Sequence, residues 1–308
     1  MSDRFAILDL GTNTFHLLVA ETSGKILYRD RQAVKIGRGG INEARILPDA
    51  IDRAVSCLKS FRQKLDELDV QQIHAFGTSA LRVAANRREI LDRILAETGI
   101  NVNILTGEQE AELIYLGVRK ALNLGDDKTL IVDIGGGSVE FIITGRNHQP
   151  WMISLEIGGQ RLLERFQHHD PILPEEITKL NAYLHEALRP VLLAIRQYHP
   201  EWLVGSSGTF DTLSEIYCHQ QGLCYSAESP ETPLTREGFY AIYEELIQKD
   251  RAERLSIPGM IEMRVDMIVV ACCLIKFLLD YHSFSGIRVS TYAMKEGVLE
   301  KLLTNVSP

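Results

Sequence analysis

Cysteine is scarce and poorly placed for chemistry. The five present, Cys57, Cys218, Cys224, Cys272 and Cys273, form no Cys-x-x-Cys pair and no cluster with histidine, which argues against a zinc site or a disulfide framework and points to a reducing cytoplasm. Positive charge is also short: 33 Lys and Arg stand against 41 Asp and Glu, a formal net charge of -8, which argues against a nucleic-acid or anionic-membrane surface. Any polyanionic ligand must then be held by a local basic patch. The most lipid-like run, Met267 to Leu279, is too short to span a bilayer and carries Lys276, so it reads as a buried helix. The amino-terminal Met1-Ser-Asp-Arg-Phe leads into an apolar stretch broken by Asp9 and Gly11, which is not a signal-peptide pattern. Nor does Ser207 sit in a Gly-x-Ser-x-Gly elbow, so a serine-hydrolase reading lacks its signature.

What is present is an ordinary globular composition, 45% hydrophobic with a mean hydropathy of -0.04, in a chain long enough for two cores. Its organising stretch is Leu130-Ile-Val-Asp-Ile-Gly-Gly-Gly-Ser-Val-Glu-Phe-Ile-Ile143. Two β-branched runs flank Asp133 and three glycines, the pattern of two buried strands joined by a tight turn. Glycines there let backbone N–H groups approach an oxyanion and let φ turn positive without strain. Asp133, at the end of the first strand, is placed to hold a hydrated Mg²⁺ beside phosphate oxygens, and Ser138 adds a hydroxyl. A lone Gly-Gly-Gly would be no more than a turn. A second copy changes that: Ala6-Ile-Leu-Asp-Leu-Gly-Thr-Asn-Thr-Phe-His-Leu-Leu-Val19 aligns Asp9 on Asp133, Gly11 on Gly135 and Thr14 on Ser138. Such a repeat predicts two similar lobes, each offering a phosphate turn to a shared cleft.

Between the repeats, Lys25 to Arg31 reads as a strand, Lys35 to Gly40 as a glycine-rich loop carrying two cations, and Pro48 to Leu68 as an amphipathic helix. Gln72 to Gly77 is a strand, with His74 an ordinary strand residue. Thr78 to Arg82 follows at the strand's carboxyl end, where α/β proteins place ligands. From position alone, Arg82 is either a surface cation or a bidentate phosphate clamp, while Arg87 and Arg88 fall in a solvated turn. After a strand at Asn101 to Leu105, Thr106 and Gln109 fit a capping box. Glu108 suits that helix start, but Glu110 and Glu112 need a cation or a metal, and a carboxylate entering the cleft could prepare an attacking water.

Asn123 to Lys128 is a polar connector, which predicts domains at 1–124, possibly completed by the C-terminal helix, and 125–308. In the second, Arg161 to Phe166 and Pro174 to Leu188 read as helices, and His168 and His169 as part of a solvated loop. Glu201 to Leu213 reads as a strand, a glycine loop and a helix leaving from about Thr209, whose amides at Gly208 and Thr209 suit a nucleotide or a phosphate tail. Gln221 to Pro233 reads as an exposed insertion, Leu234 onward as a helix, and Gly259 to Asp280 as a long buried helix with Arg264 and Asp266 at its start. Ile287 to Ser290 is a last strand and Ala293 to Leu303 a closing helix, so the whole is an α/β protein.

With these pieces in place the chain resembles the exopolyphosphatase and guanosine pentaphosphate phosphatase family, within the actin and sugar-kinase superfamily. The resemblance rests on Asp9-Leu-Gly-Thr-Asn-Thr-Phe-His, Thr78-Ser-Ala-Leu-Arg, Gly107-Glu-Gln-Glu-Ala, Asp133-Ile-Gly-Gly-Gly-Ser-Val-Glu, Gly205-Ser-Ser-Gly-Thr and Lys295-Glu-Gly. It implies two ribonuclease-H-like (actin-like ATPase) domains with the active site in the cleft between them, and it implies roles for the residues that match its motifs. Glu110 matches the family's catalytic glutamate and Arg82 its phosphate-binding arginine; Asp133 and Glu140 match the magnesium-associated carboxylates, Glu140 counting also among the catalytic residues; Asn13, Gly135, Gly136, Gly137 and Ser138 match phosphate contacts. The internal repeat adds Asp9 to the metal candidates and Thr14 to the phosphate contacts.

The expected activity is Mg²⁺-dependent release of terminal orthophosphate from inorganic polyphosphate or of the γ-phosphate from guanosine pentaphosphate, in a cytoplasmic homodimer with no nucleic-acid or membrane partner. A small ATP-dependent kinase and a non-catalytic guanosine tetra- or pentaphosphate sensor are the alternatives. Three features depart from the family's pattern: Glu112 stands where an arginine is usual, which removes a cation near the base; Arg38 replaces a common acid; and the sequence ends after the Lys295 helix, without the extra helical domains of longer members.

Overall fold

A computed structural model describes residues 3–145 and 149–306. The chain divides into two compact units, one of Met1–Gly117 with Met294–Pro308 and one of Val118–Ala293.

In the first unit, β1 (Arg4–Leu10), β2 (Thr14–Glu21) and β3 (Ile26–Ala33) run antiparallel, and β4 (Gln72–Gly77) and β5 (Val102–Ile104) join parallel on the other side of β1. The order is β3-β2-β1-β4-β5. Helix α1 (Pro48–Glu67) opens on Pro48 and Asp49, as a helix start favours. It buries Ile51, Ala54, Val55, Leu58, Phe61 and Leu65 in a core with Leu8, Leu10, Phe15, Leu17 and Val19. Each large apolar side chain so buried stabilises the unit by about 1.5–3 kcal/mol. Two short helices follow β4, α2 (Ser79–Val83) and α3 (Arg87–Thr98). The expected solvated turn at Arg87 and Arg88 is therefore the first turn of α3, which buries Ile90, Ile94 and Thr98 and ends on left-handed Gly99. Helix α4 (Gly107–Ala121) comes next, and the closing helix Met294–Val306 packs beside it, so closely that a Cβ on Gly297 would lie 1.7 Å from the Leu113 carbonyl oxygen.

The second unit repeats the plan. Strands β6 (Thr129–Ile134), β7 (Val139–Thr144) and β8 (Trp151–Leu155) are antiparallel; β9 (Trp202–Ser206), β10 (Glu231–Thr232) and β11 (Gly286–Ser290) complete a sheet of order β8-β7-β6-β9-β11-β10. Both units thus share one strand order, the duplicated ribonuclease-H-like architecture, with β10 added at one edge. Every residue of β6 and β7 is buried, as expected of central strands covered on both faces. The helices are α5 (Gly159–Phe166), α6 (Pro174–Ala187), α7 (Arg189–Tyr198), α8 (Ser207–Gln221), α9 (Arg236–Gln248), α10 (Arg251–Leu255) and α11 (Ile268–Tyr281).

Three expectations need correction here. Helix α8 begins at Ser207, two residues before Thr209. The stretch from Gly259 to Asp280 is not one helix: Gly259 is left-handed, turns follow, and α11 starts at Ile268, so Arg264 and Asp266 precede it. The insertion from Gln221 to Pro233 ends in the sheet, where Glu231 and Thr232 pair with Ser290 and Val289. Among the described residues, no helix is long and apolar enough to cross a membrane.

Candidate active site

The two glycine turns are built alike. Gly11 N donates to Thr14 O at 3.1 Å, and Gly135 N donates to Ser138 O at the same distance. In the first turn two further carbonyls are taken by the loop after β3: Lys35 N donates to Asn13 O at 2.8 Å and Gly37 N to Thr12 O at 3.1 Å. Asn13 and Thr14 are each 5% exposed, and the hydroxyl oxygens of Thr12 and Thr14 are buried without a hydrogen-bond partner among the described residues. Buried polar atoms of this kind call for a ligand or water.

In the second turn the start of α5 lies directly behind the glycines. Gly158 N donates to Gly137 O (3.0 Å), Gly159 N to Gly135 O (2.9 Å) and Gln160 N to Gly136 O (2.8 Å), while Arg161 Nε adds a bond to Gly137 O at 2.8 Å. Among the described residues, no backbone bond outside the helices and strands uses the amides of Gly136, Gly137 or Ser138. A turn whose carbonyls are all tied back and whose amides are not is suited to an oxyanion. The expected positive φ is absent: none of Gly135, Gly136 or Gly137 is among the left-handed glycines. Close approach is what requires glycine behind the turn, at Gly158, the residue that sequence reading missed. A Cβ there would come within 2.5 Å of the backbone of Gly136 and Gly137.

Sheet register places the acids. Asp133 is paired with Glu140 across β6 and β7 and with Ser206 across β6 and β9, so the three side chains share a face, with cross-strand Cβ atoms about 5 Å apart. Asp133 is 5% exposed and Glu140 1%. Ser206 Oγ and Ser207 Oγ lie 3.0 and 2.6 Å from Asp133 Oδ2, and Ser154 Oγ donates to Glu140 Oε1 at 2.7 Å. In the first unit the corresponding pair is Asp9 with His16, so only the second unit sets two carboxylates side by side. Like charges this close and this buried are costly unless a cation compensates. Mg²⁺ needs only one or two carboxylates when waters and phosphate oxygens complete its shell, and Asp133 with Glu140 fits that requirement. Among the described residues there is no group of three or more His, Cys, Asp or Glu side chains that could hold a metal.

The other expected catalytic pair lies in the first unit. Thr106 and Gln109 bond reciprocally, Gln109 N to Thr106 Oγ1 (3.1 Å) and Thr106 N to Gln109 Oε1 (2.9 Å), and so fix the start of α4. One residue on, Glu110 meets Arg82: Arg82 Nη1 donates to Glu110 Oε2 at 2.7 Å and to Leu105 O at 3.3 Å. The two side chains are 16% and 10% exposed. Glu112 is elsewhere, half exposed and 3.4 Å from Lys301 Nζ of the closing helix. It therefore places no second acid beside Glu110, because two positions along a helix carry a side chain to the far side. Gly208 and Thr209 lie in the first turn of α8, where amides point out of the helix. Gly208 has a packing reason as well: a Cβ there would meet the Arg264 guanidinium within 2.2 Å.

Comparison with known proteins identifies the family. The chain is 43% identical to an exopolyphosphatase from Cytophaga hutchinsonii, with 99% of each chain covered and a TM-score of 0.94. It is 26% identical to the Ppx/GppA family member of Aquifex aeolicus, again over 99% of each chain, with a TM-score of 0.79. Residues 17–306 match the Ppx/GppA phosphatase family. With the family matched over nearly its whole length, the chain belongs to the Ppx/GppA phosphatase family and has the chemistry of a phosphoanhydride hydrolase.

Proposed function

We propose that the protein releases terminal orthophosphate from inorganic polyphosphate in a Mg²⁺-dependent reaction. Support for the substrate comes from the 43% identical exopolyphosphatase. The observation that carries the reading is the second glycine turn, whose three carbonyls are bonded from behind while its amides stand beside the Asp133 and Glu140 pair. Phosphoryl transfer is catalysed chiefly by positioning and by stabilising charge on the phosphoryl oxygens. The amides of Gly136, Gly137 and Ser138 supply fixed donors for that charge, and those of Gly208 and Thr209 suit the next phosphate of the chain. Asp133 and Glu140 would hold the Mg²⁺, which when bound adds charge neutralisation at the phosphate oxygens.

Glu110 is the base in this reading. It takes a proton from water as the water oxygen bonds to the terminal phosphorus; the anhydride bond breaks, and the shortened chain leaves with the bridging oxygen. Arg82 stabilises the equatorial oxygens, a task suited to its planar fork. The test is orthophosphate release by purified protein from polyphosphate and from guanosine pentaphosphate, each with and without Mg²⁺. Metal-dependent release from polyphosphate, faster than from the nucleotide, is the expected result. Release from the nucleotide alone would overturn the substrate assignment, and undiminished release after chelation would overturn the metal.

A further inference from the structure

Ser206 occupies the N-cap of α8 with extended backbone, φ -133° and ψ 162°, yet makes no side-chain cap hydrogen bond. A serine at that position ordinarily accepts from an amide two or three residues on. Here the hydroxyl lies instead 3.0 Å from Asp133 Oδ2. Ser207 follows with φ +68°, the left-handed region that a non-glycine residue occupies only at a cost. Its hydroxyl lies 2.6 Å from the same Oδ2.

These facts explain one another. Successive side chains of a strand point to opposite faces, so two adjacent serines leaving β9 cannot both reach one carboxylate unless the backbone turns over between them. The left-handed residue makes that turn. The first unit shows that the fold does not demand it: Asp9 is in register with Phe76, and Gly77 follows, so neither counterpart of the two serines carries a hydroxyl. The second hydroxyl belongs to the carboxylate that the proposed reaction uses.

We propose that Ser207 is a positioning residue for the divalent cation, its left-handed backbone serving to bring a second hydroxyl onto Asp133 and hold that carboxylate in its metal-receiving orientation. The proposal rests on the reading of Asp133 as a metal ligand. Outer-shell partners of metal-binding carboxylates typically contribute about 10–100-fold in metal affinity.

Two substitutions separate this role from a merely structural one. Ser207→Gly removes the hydroxyl and suits the backbone; Ser207→Ala removes the hydroxyl and keeps the strain. Mn²⁺ binding to the full chain, measured by electron paramagnetic resonance with orthophosphate present, should weaken about tenfold or more in both variants. Thermal unfolding should place the glycine variant above the alanine variant. Mn²⁺ affinity in Ser207→Gly equal to that of a wild-type protein that does bind the ion would overturn the positioning role alone. A wild-type protein that binds no Mn²⁺ would overturn the metal reading and this proposal with it.

Discussion

Arg82 and Glu110, brought together from α2 and α4, form an ion pair at 2.7 Å in which both side chains are largely shielded from water. The guanidinium that would grip phosphate and the carboxylate that would prepare water thus hold each other. In the proposed reaction an incoming phosphate competes with Glu110 for Arg82, because the same Nη1 that would meet phosphate donates to Glu110 Oε2. Glu110→Gln removes the base while keeping a side chain of similar size that can accept from Arg82. Turnover should fall by about 10²–10⁴-fold with a near-wild-type thermal midpoint and little change in KM. Steady-state phosphate release checks it, and an undiminished kcat would remove Glu110 from its role.

Arg82→Ala should do more than weaken substrate. It also leaves Glu110, 10% exposed at its side chain, without its cation, and removing one partner of a buried pair is generally more damaging than the pair's own net contribution. Both a higher KM and a lower thermal midpoint are expected. Arg82→Lys should restore the midpoint better than the KM, because a point charge replaces the ion pair but not the planar fork. Equal recovery of both would argue against a phosphate contact.

Gly158 and Gly208 offer a comparison between two kinds of crowding. A Cβ at Gly158 meets backbone atoms of Gly136 and Gly137, which cannot move without opening the turn, whereas at Gly208 it meets the far end of the flexible Arg264 side chain. Gly158→Ala should therefore cost about 1–3 kcal/mol and most of the activity. Gly208→Ala should cost less stability. Thermal unfolding and phosphate release on the two variants decide it; a Gly158→Ala protein with wild-type activity would mean that the turn's shape is not what positions the amides.

Much of this was legible in the sequence. The alignment of Asp9, Gly11 and Thr14 on Asp133, Gly135 and Ser138 is realised as one hydrogen bond of one length in each turn, because acid, glycine and hydroxyl at fixed offsets constrain a hairpin strongly. The Thr106 and Gln109 box was readable for the same reason: a local motif needs no tertiary information. What was not legible depends on contacts distant in sequence. Nothing around Gly158 announces that it will lie against the triple glycine. Helix α3 buries only Ile90, Ile94 and Thr98, a face too sparse to stand out from a charged stretch. The apolar run that includes α11 suggested a longer helix, yet left-handed Gly259 packs against the Ile216 backbone and turns the chain before Ile268.

Away from the candidate site, Glu176 predicts a measurable acid sensitivity. Burial pushes its carboxyl up, but bonds from Leu173 N, His169 and His168 N together outweigh burial and bring it down to about 2 from an ordinary 4.5. A folded-state value below the unfolded one means that the native protein binds fewer protons in this window. The stabilisation is complete above about pH 4.5 and is lost as pH falls toward about 2. Glu176→Gln should flatten that part of the profile, so the difference in urea midpoint between variant and wild type should shrink from about pH 5 to about pH 3. A constant difference would show that the ionised carboxylate is not what stabilises the loop.

Glu112 tests whether the departure from the family's usual arginine matters to the reaction. Its side chain is 50% exposed and meets Lys301, itself 49% exposed, at 3.4 Å. An exposed pair of this kind contributes about 0–1 kcal/mol. Glu110 lies two residues earlier on α4, and such residues do not face each other. Glu112→Arg should therefore lower stability by no more than about 1 kcal/mol, through repulsion from Lys301, and change kcat on polyphosphate less than about twofold, since a remote exposed charge is largely screened. A large gain in kcat would show that an arginine here reaches the phosphate after all. A change confined to KM and abolished by salt would instead identify long-range attraction of the polyanion, which a net charge of -8 otherwise opposes.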